Sequence, residues 1–253
     1  MNADDASSAA GLPMLTPGPW QGAAFVALAV VMALALRWTL RMPLRLWAAM
    51  LAWQVAMGAL ALNGYFQHFD EPWRALPTLA LGIAAVGWLS SRPFAGSGLW
   101  LTRAPDAAWI VVQSFRLPLE FWLYSLFSAG VIGPHMTFAS ANPDIAVGLS
   151  APLLAALVQR QKWRGPVSPG LRWLLLAWNV MGLMLLLNVV VIAVLSTPFA
   201  FRVFTDGPAN RFIAVFPFIW LPTLLVPLAL MAHIVSLRRT WALRFHPPLP
   251  ARA

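Results

Sequence analysis

The chain has 253 residues, of which 60% are hydrophobic and only 10% charged, with a mean hydropathy of +0.72. That profile excludes a soluble domain built on one core and points to a chain with several membrane spans. The formal charge of +9 is no nucleic-acid footprint: nearly all of the basic residues sit in short stretches between apolar runs, where they act as topology signals.

The N-terminal stretch 1–20 carries Asp4 and Asp5 and no basic residue. It reads as a disordered outer tail and not as a secretory signal. Seven apolar runs follow, at 21–40, 45–66, 76–91, 107–132, 143–161, 171–196 and 212–237. About 20 apolar residues at 1.5 Å each cover the roughly 30 Å hydrocarbon core. The third run is short, and the seventh contains Pro217, Pro222 and Pro227. Alternation of period two is absent, which argues against a membrane β-barrel. The expected fold is an all-α integral membrane domain over 21–237 with seven transmembrane helices, followed by a cytoplasmic tail, 238–253.

Basic residues set the expected orientation. Arg37, Arg41 and Arg45 follow run one, Arg92 and Arg103 run three, and Arg160, Lys162, Arg164 and Arg172 run five. The tail adds Arg238, Arg239, Arg244 and Arg252, so 13 of the 17 basic residues fall on one side of a seven-span chain. The positive-inside rule then puts the N-terminus outside and the C-terminus in the cytoplasm.

An internal repeat is also legible. At an offset of 125, Arg37-Trp38 matches Lys162-Trp163, the string Ala52-Trp53-Gln54-Val55 matches Ala177-Trp178-Asn179-Val180, and Asn63 matches Asn188. Leu76-Pro77-Thr78-Leu79 recurs as Leu221-Pro222-Thr223-Leu224. Two triple-helix units, 21–91 and 143–237, joined by a linker helix over 107–132, would then be related by an axis along the membrane normal.

The fourth run holds the most polar groups. Gln113, Arg116 and Glu120 lie inside it, and a charge at the centre of a span costs about 2.5–3.5 kcal/mol on insertion scales. Arg116 and Glu120 are one helical turn apart and can pair, while Pro118 between them frees the Ser114 carbonyl. With Gln54 and Asn179 at similar depth, and Asn63 and Asn188 further out, these residues make a candidate substrate-binding or coupling set. A second group, His68, Asp70, His135 and Asp144, lies on the outer side and offers weak metal ligands without diagnostic spacing. Asn142-Pro143-Asp144 reads as a helix start, and His233 as a residue near the cytoplasmic end. No lysine lies in a span, and no nucleotide, zinc-hydrolase or nucleophile-elbow motif is present, so no cofactor is expected and a catalytic role has no residues assigned to it.

The stretches FRLPLEFWLY, MTFASANPDIAVGL and FPFIWLPTLLVPLALMAHIVSLRR resemble uncharacterised bacterial multi-pass membrane proteins. That resemblance implies the bacterial inner membrane and brings no activity. The three-plus-one-plus-three order is similar in architecture to the SWEET sugar transporters, but their paired-Pro-Gln signature is missing from runs one and five. The expected function is a small-solute transporter or permease whose partners are the lipid bilayer and a small molecule. A membrane-embedded enzyme acting on lipid, or a non-catalytic scaffold, are the alternatives.

Overall fold

The computed structural model describes residues 16–91, 100–164 and 167–242. Among them every regular element is helical: α1 (Pro19–Trp38), α2 (Leu44–Leu62), α3 (Leu76–Ser91), α4 (Asp106–Val111), α5 (Arg116–Ser128), α6 (Ile145–Arg164), α7 (Pro169–Ser196) and α8 (Val226–Ala242). A tight 3-10 turn, Val112–Phe115, joins α4 to α5, and a π-helical turn, Leu221–Leu225, leads into α8, so the helices form seven rods. Four of the rods, Pro19–Trp38, Leu44–Leu62, Pro169–Ser196 and Leu221–Ala242, are long and apolar enough to cross a membrane. The apolar part of α6, Ile145–Gln161, is shorter.

Local chemistry explains the boundaries. Pro169 opens α7 behind Ser168, whose hydroxyl accepts from the Leu171 N–H at 3.3 Å. Pro118 lacks an N–H and its ring crowds the Ser114 carbonyl, so the turn before it tightens and breaks the fourth run into two helices. That run stops at Ser128, short of the expected 132. The seventh differs more. Phe212–Ala214 is an isolated 3-10 turn, and the rod starts at Leu221, beyond Pro217. At its other end it continues to Ala242, where the expected tail should already have begun at 238. Arg239 holds this last turn, its Nε 2.6 Å from Asp106 Oδ1 and its Nη1 donating to the Ala104 carbonyl at 2.7 Å. The expected outer tail falls on residues outside those described, except that α1 already starts at Pro19.

The last rod is the centre of the bundle. Ala229, Ala232, His233 and Val235 in α8 are each at most 1% exposed. α7 lies along one side of α8, α3 along another, and α4 packs against both α8 and α6. Both LPTL segments open a helical rod, and the Thr78 hydroxyl donates to the Ala75 carbonyl, while the Thr223 hydroxyl stands 2.9 Å from the Ile219 carbonyl. Their packing is not alike: α8 runs along α7, whereas α3 packs on the π turn and α8 rather than on α2.

Outward faces are as apolar as the interior. Leu174, Met181, Met184, Leu187 and Val191 project from α7, and Leu149, Leu153 and Leu157 from α6, all exposed. In water such a surface would be an association hazard; against lipid it is at home. Trp20, Trp38, Trp73, Trp88, Trp173 and Trp241 are exposed near the rod ends, where interfacial anchors belong.

One contact fixes how α6 meets α5. A Cβ on Gly148 would lie 2.3 Å from the Leu117 nitrogen and 2.9 Å from its Cα. Gly148→Ala must therefore push the two backbones apart, at a cost of about 1–3 kcal/mol. Gly87 on α3 has nothing within 4 Å of a Cβ, and Gly87→Ala should be neutral or stabilising by up to about 1 kcal/mol. Thermal unfolding of both variants in detergent checks this contrast; equal midpoints would show that the close approach is not required.

Candidate functional site

The α5–α6 contact sets up the polar interior. Arg116 is the first residue of α5, and Asp144 immediately precedes α6. With no side chain at Gly148 to hold the helices apart, Asp144 Oδ2 comes within 2.8 Å of Arg116 Nε, both groups buried. On its far side Arg116 Nη1 lies 3.0 Å from His233 Nε2 on α8. His233 Nδ1 in turn lies 3.1 Å from Asn179 Oδ1 on α7. Gly182 makes this possible, because a Cβ there would sit 2.2 Å from the imidazole Cε1. The Trp178 ring, 5.1 Å from the imidazole between centroids, closes the niche.

Donor and acceptor rules give the network a direction. Arginine can only donate, so His233 Nε2 accepts; the Asn179 oxygen can only accept, so Nδ1 carries the proton and the imidazole is neutral. Asn179 Nδ2 spends its two hydrogens on the Leu175 carbonyl (2.8 Å) and Ser236 Oγ (3.0 Å). Gln113 Nε2 ties α4–α5 to the same central helix through the Ala229 carbonyl at 2.9 Å.

Glu120 sits one turn beyond Arg116, but its carboxylate is not within ion-pair distance of the guanidinium. It accepts instead from Asn142 Nδ2 at 2.8 Å. Asn142 also caps the turn before α6, its Oδ1 3.3 Å from the Asp144 nitrogen. Arg116, Glu120 and Asp144 together floor a cavity of about 90 Å³ between α5, α7 and the π turn, walled by Leu119, Leu186, Val190, Ala193, Leu225 and other apolar residues. Each of the three keeps one buried polar atom without a partner: Arg116 Nη2, Glu120 Oε2 and Asp144 Oδ1. A site needs roughly 10–15 Å³ to hold one water, so the space admits several waters or one small solute.

Other expected residues are elsewhere. The expected Arg116–Glu120 clamp is replaced by Arg116–Asp144, because the broken helix turns the guanidinium toward α6. Gln54 does not reach this cavity; its side chain exchanges two hydrogen bonds with Thr223, Nε2 to the carbonyl at 3.0 Å and Oε1 from the hydroxyl at 2.9 Å. Asn63 bonds the Ala59 carbonyl of its own helix, and Asn188 the Ala141 carbonyl. His68 and Asp70 are exposed, and no three His, Asp or Glu side chains gather among the described residues. His135 Nε2 lies 2.7 Å from Asp206 Oδ2, and this bond holds the Asp206 carboxyl below the usual carboxylate range.

His233 corrects the sequence reading most sharply. Expected near the cytoplasmic end, it is fully buried, because the rod extends to Ala242 and leaves it mid-helix. Asn142 and Ser236 were likewise not singled out as site residues.

Residues 76–241, about two thirds of the chain, match the model of a domain of unknown function, DUF8737. The chain belongs to that family. No curated protein and no solved structure matches it. Every residue of the Arg116 network and its cavity lies within the DUF8737 region, whereas α1, α2 and Gln54 lie outside it.

Removing one member of the buried Arg116–Asp144 pair strands the other charge. Arg116→Leu or Asp144→Leu alone should cost about 3–5 kcal/mol, and the double apolar variant should recover most of it. Glu120→Gln, which keeps shape and hydrogen bonding, should leave the amount of folded membrane protein nearly unchanged. Abundance in the membrane and thermal midpoint across the four variants decide the matter; a double variant as unstable as the singles would show that the pair is not the structural unit.

Proposed function

We propose that this chain is a seven-span protein of the bacterial inner membrane, N-terminus outside and C-terminus in the cytoplasm, that carries a small solute across the bilayer. The observation that carries this reading is the cavity floored by Arg116, Glu120 and Asp144. Ionisable residues inside a membrane are costly and face functional cavities as a rule. Here three converge on one space, each with an unfilled hydrogen-bonding position.

The roles follow from the bonding. Asp144 neutralises Arg116, and His233 and Asn179 orient it from behind. Glu120 is the carboxylate without a direct ion pair, hydrogen-bonded by Asn142 with Arg116 one turn away, and it is the group that takes up and releases a coupling proton. The unfilled positions, one donor on Arg116 and an acceptor on each carboxylate, suit a solute whose polar head both donates and accepts. The apolar walls suit a small hydrocarbon body. For a lipid-processing enzyme on the outer face, the described residues offer the His135–Asp206 pair but no group of three histidines or carboxylates.

The chain has no cysteine, so single cysteines are unique probes. Ala193→Cys and Val190→Cys line the cavity, while Leu187→Cys is 64% exposed on the outer face of α7. In intact cells a membrane-impermeant methanethiosulfonate should label the cavity positions and spare Leu187→Cys, as a wet path through a lipid-embedded bundle requires. Glu120→Gln should abolish complementation of a deletion strain at normal abundance. Cavity positions that stay unlabelled, together with a fully active Glu120→Gln, would refute the transport reading.

A further inference from the structure

A second cavity lies on the opposite face of the last rod. It measures about 390 Å³ and is bounded by α1, α2, α3 and α8, with Leu36, Met42, Met50, Trp53, Leu81 and Pro227 among its walls. That is within the roughly 300–1,000 Å³ of small-molecule sites. Its polar lining is confined to Gln54 and Thr223, which are hydrogen-bonded to each other and, by Gln54 Nε2, to the backbone of the π turn. No group inside it calls for a charged or strongly polar ligand.

The surroundings at one end are different. Leu36 and Met42 lie at the junction of α1 and α2, where Arg37 stands in the last turn of α1, Arg41 in the loop and Arg45 in the first turn of α2. Arg37 Nη1 is 3.4 Å from the Met42 carbonyl. Arg41 has φ +58°, a left-handed conformation unfavourable for a residue with a Cβ. Its neighbour Leu40 is fully buried and its own side chain exposed, so the strained turn presents the guanidinium at the surface. None of the three arginines pairs with a carboxylate among the described residues, and no Asp or Glu occurs between residues 21 and 69. Leu81 and Ala85 on the cavity wall are exposed, and α3 packs on α8 and not on α2, which leaves the cavity a lateral opening between α2 and α3.

We infer that this cavity holds one acyl chain of an anionic phospholipid, whose phosphate is bound by the Arg37–Arg41–Arg45 cluster. Unpaired cations at one end of an apolar, laterally open space match a charged headgroup with a hydrocarbon tail. The inference rests on the helices crossing a bilayer, and is independent of what the Arg116 cavity carries. The π turn and α8 separate the two cavities, with Leu221, Pro222 and Leu225 facing one and Thr223, Leu224 and Pro227 the other.

Full-length protein, extracted from membranes in mild detergent, tests it with phosphatidylglycerol, phosphatidylcholine and inorganic phosphate as probes. Native mass spectrometry should show one retained phosphatidylglycerol, and that lipid should raise the thermal midpoint more than phosphatidylcholine does, with phosphate alone giving no shift. Each arginine changed to alanine should weaken phosphatidylglycerol binding about fivefold, the usual strength of a basic residue at an anionic surface. Ala85→Trp fills the cavity and should abolish retention of either lipid; Leu81→Trp, at a position 58% exposed, serves if that variant does not fold. Equal retention of the two lipids, stabilisation by phosphate alone, or undiminished binding in the filled variant would each overturn the inference. Failure of the chain to fractionate with membranes would instead overturn the spanning reading on which it rests.

Discussion

A guanidinium is fully buried in an apolar bundle, and the rest of the interior answers to that. Arg116 cannot shed its proton to escape the penalty, since arginine stays charged under all ordinary conditions. It must therefore be met by a counter-charge and by acceptors, and the chain supplies them from three different rods. Asp144 comes from the start of α6, His233 from the middle of α8, and Asn179 behind it from α7. Two glycines make these approaches sterically possible. Without the bare backbone at Gly148 the carboxylate could not reach, and without the one at Gly182 the imidazole would have no room. Pro118 contributes by breaking the fourth rod just where the arginine must turn.

The network is finished on one side and open on the other. Toward α8 the bonds from Arg116 to His233 and from His233 to Asn179 tie three rods together and fix the imidazole in one tautomer. Each of the three charged residues that line the small cavity keeps one buried atom without a partner. A buried polar atom without a partner costs free energy, and its persistence at the wall of a cavity is the physical basis for assigning a ligand to that space. The π-helical turn at Leu221–Leu225 belongs to the same picture. It begins at the rod's entry, and its residues form walls of both the charged cavity and the apolar one. Such turns are frequent at functional sites because the extra residue re-aims the side chains around it. Any movement of this segment alters both spaces at once.

Much of this was legible in the residues. Hydropathy alone marks seven apolar runs, and each overlaps a helical rod, because a helix satisfies its backbone hydrogen bonds within its own segment. The cost of polar and charged groups in an apolar run singles out Gln113, Arg116 and Glu120, and all three are buried. The likeness to an uncharacterised family agrees with membership of DUF8737. Four of the rods are long and apolar enough to cross a membrane, which supports the membrane character to that extent.

What the sequence could not decide was who pairs with whom. Spacing along one helix favoured Arg116 with Glu120, four residues apart, yet a carboxylate 28 positions away in the chain won because α6 packs within touching distance of α5. The amides Gln54 and Asn179, matched by position in a repeat, bond to the same last rod at different heights: Gln54 lines the apolar cavity, whereas Asn179 sits behind His233. His233 looked peripheral because the end of its helix was misjudged by one turn, and Arg239 finding Asp106 across the bundle is what extends that helix. Local pattern determines where a chain becomes helical and which residues are costly to bury. Pairing among those residues depends on helix rotation and closeness, which are set by the small residues at each crossing, and only the folded bundle shows which crossings occur.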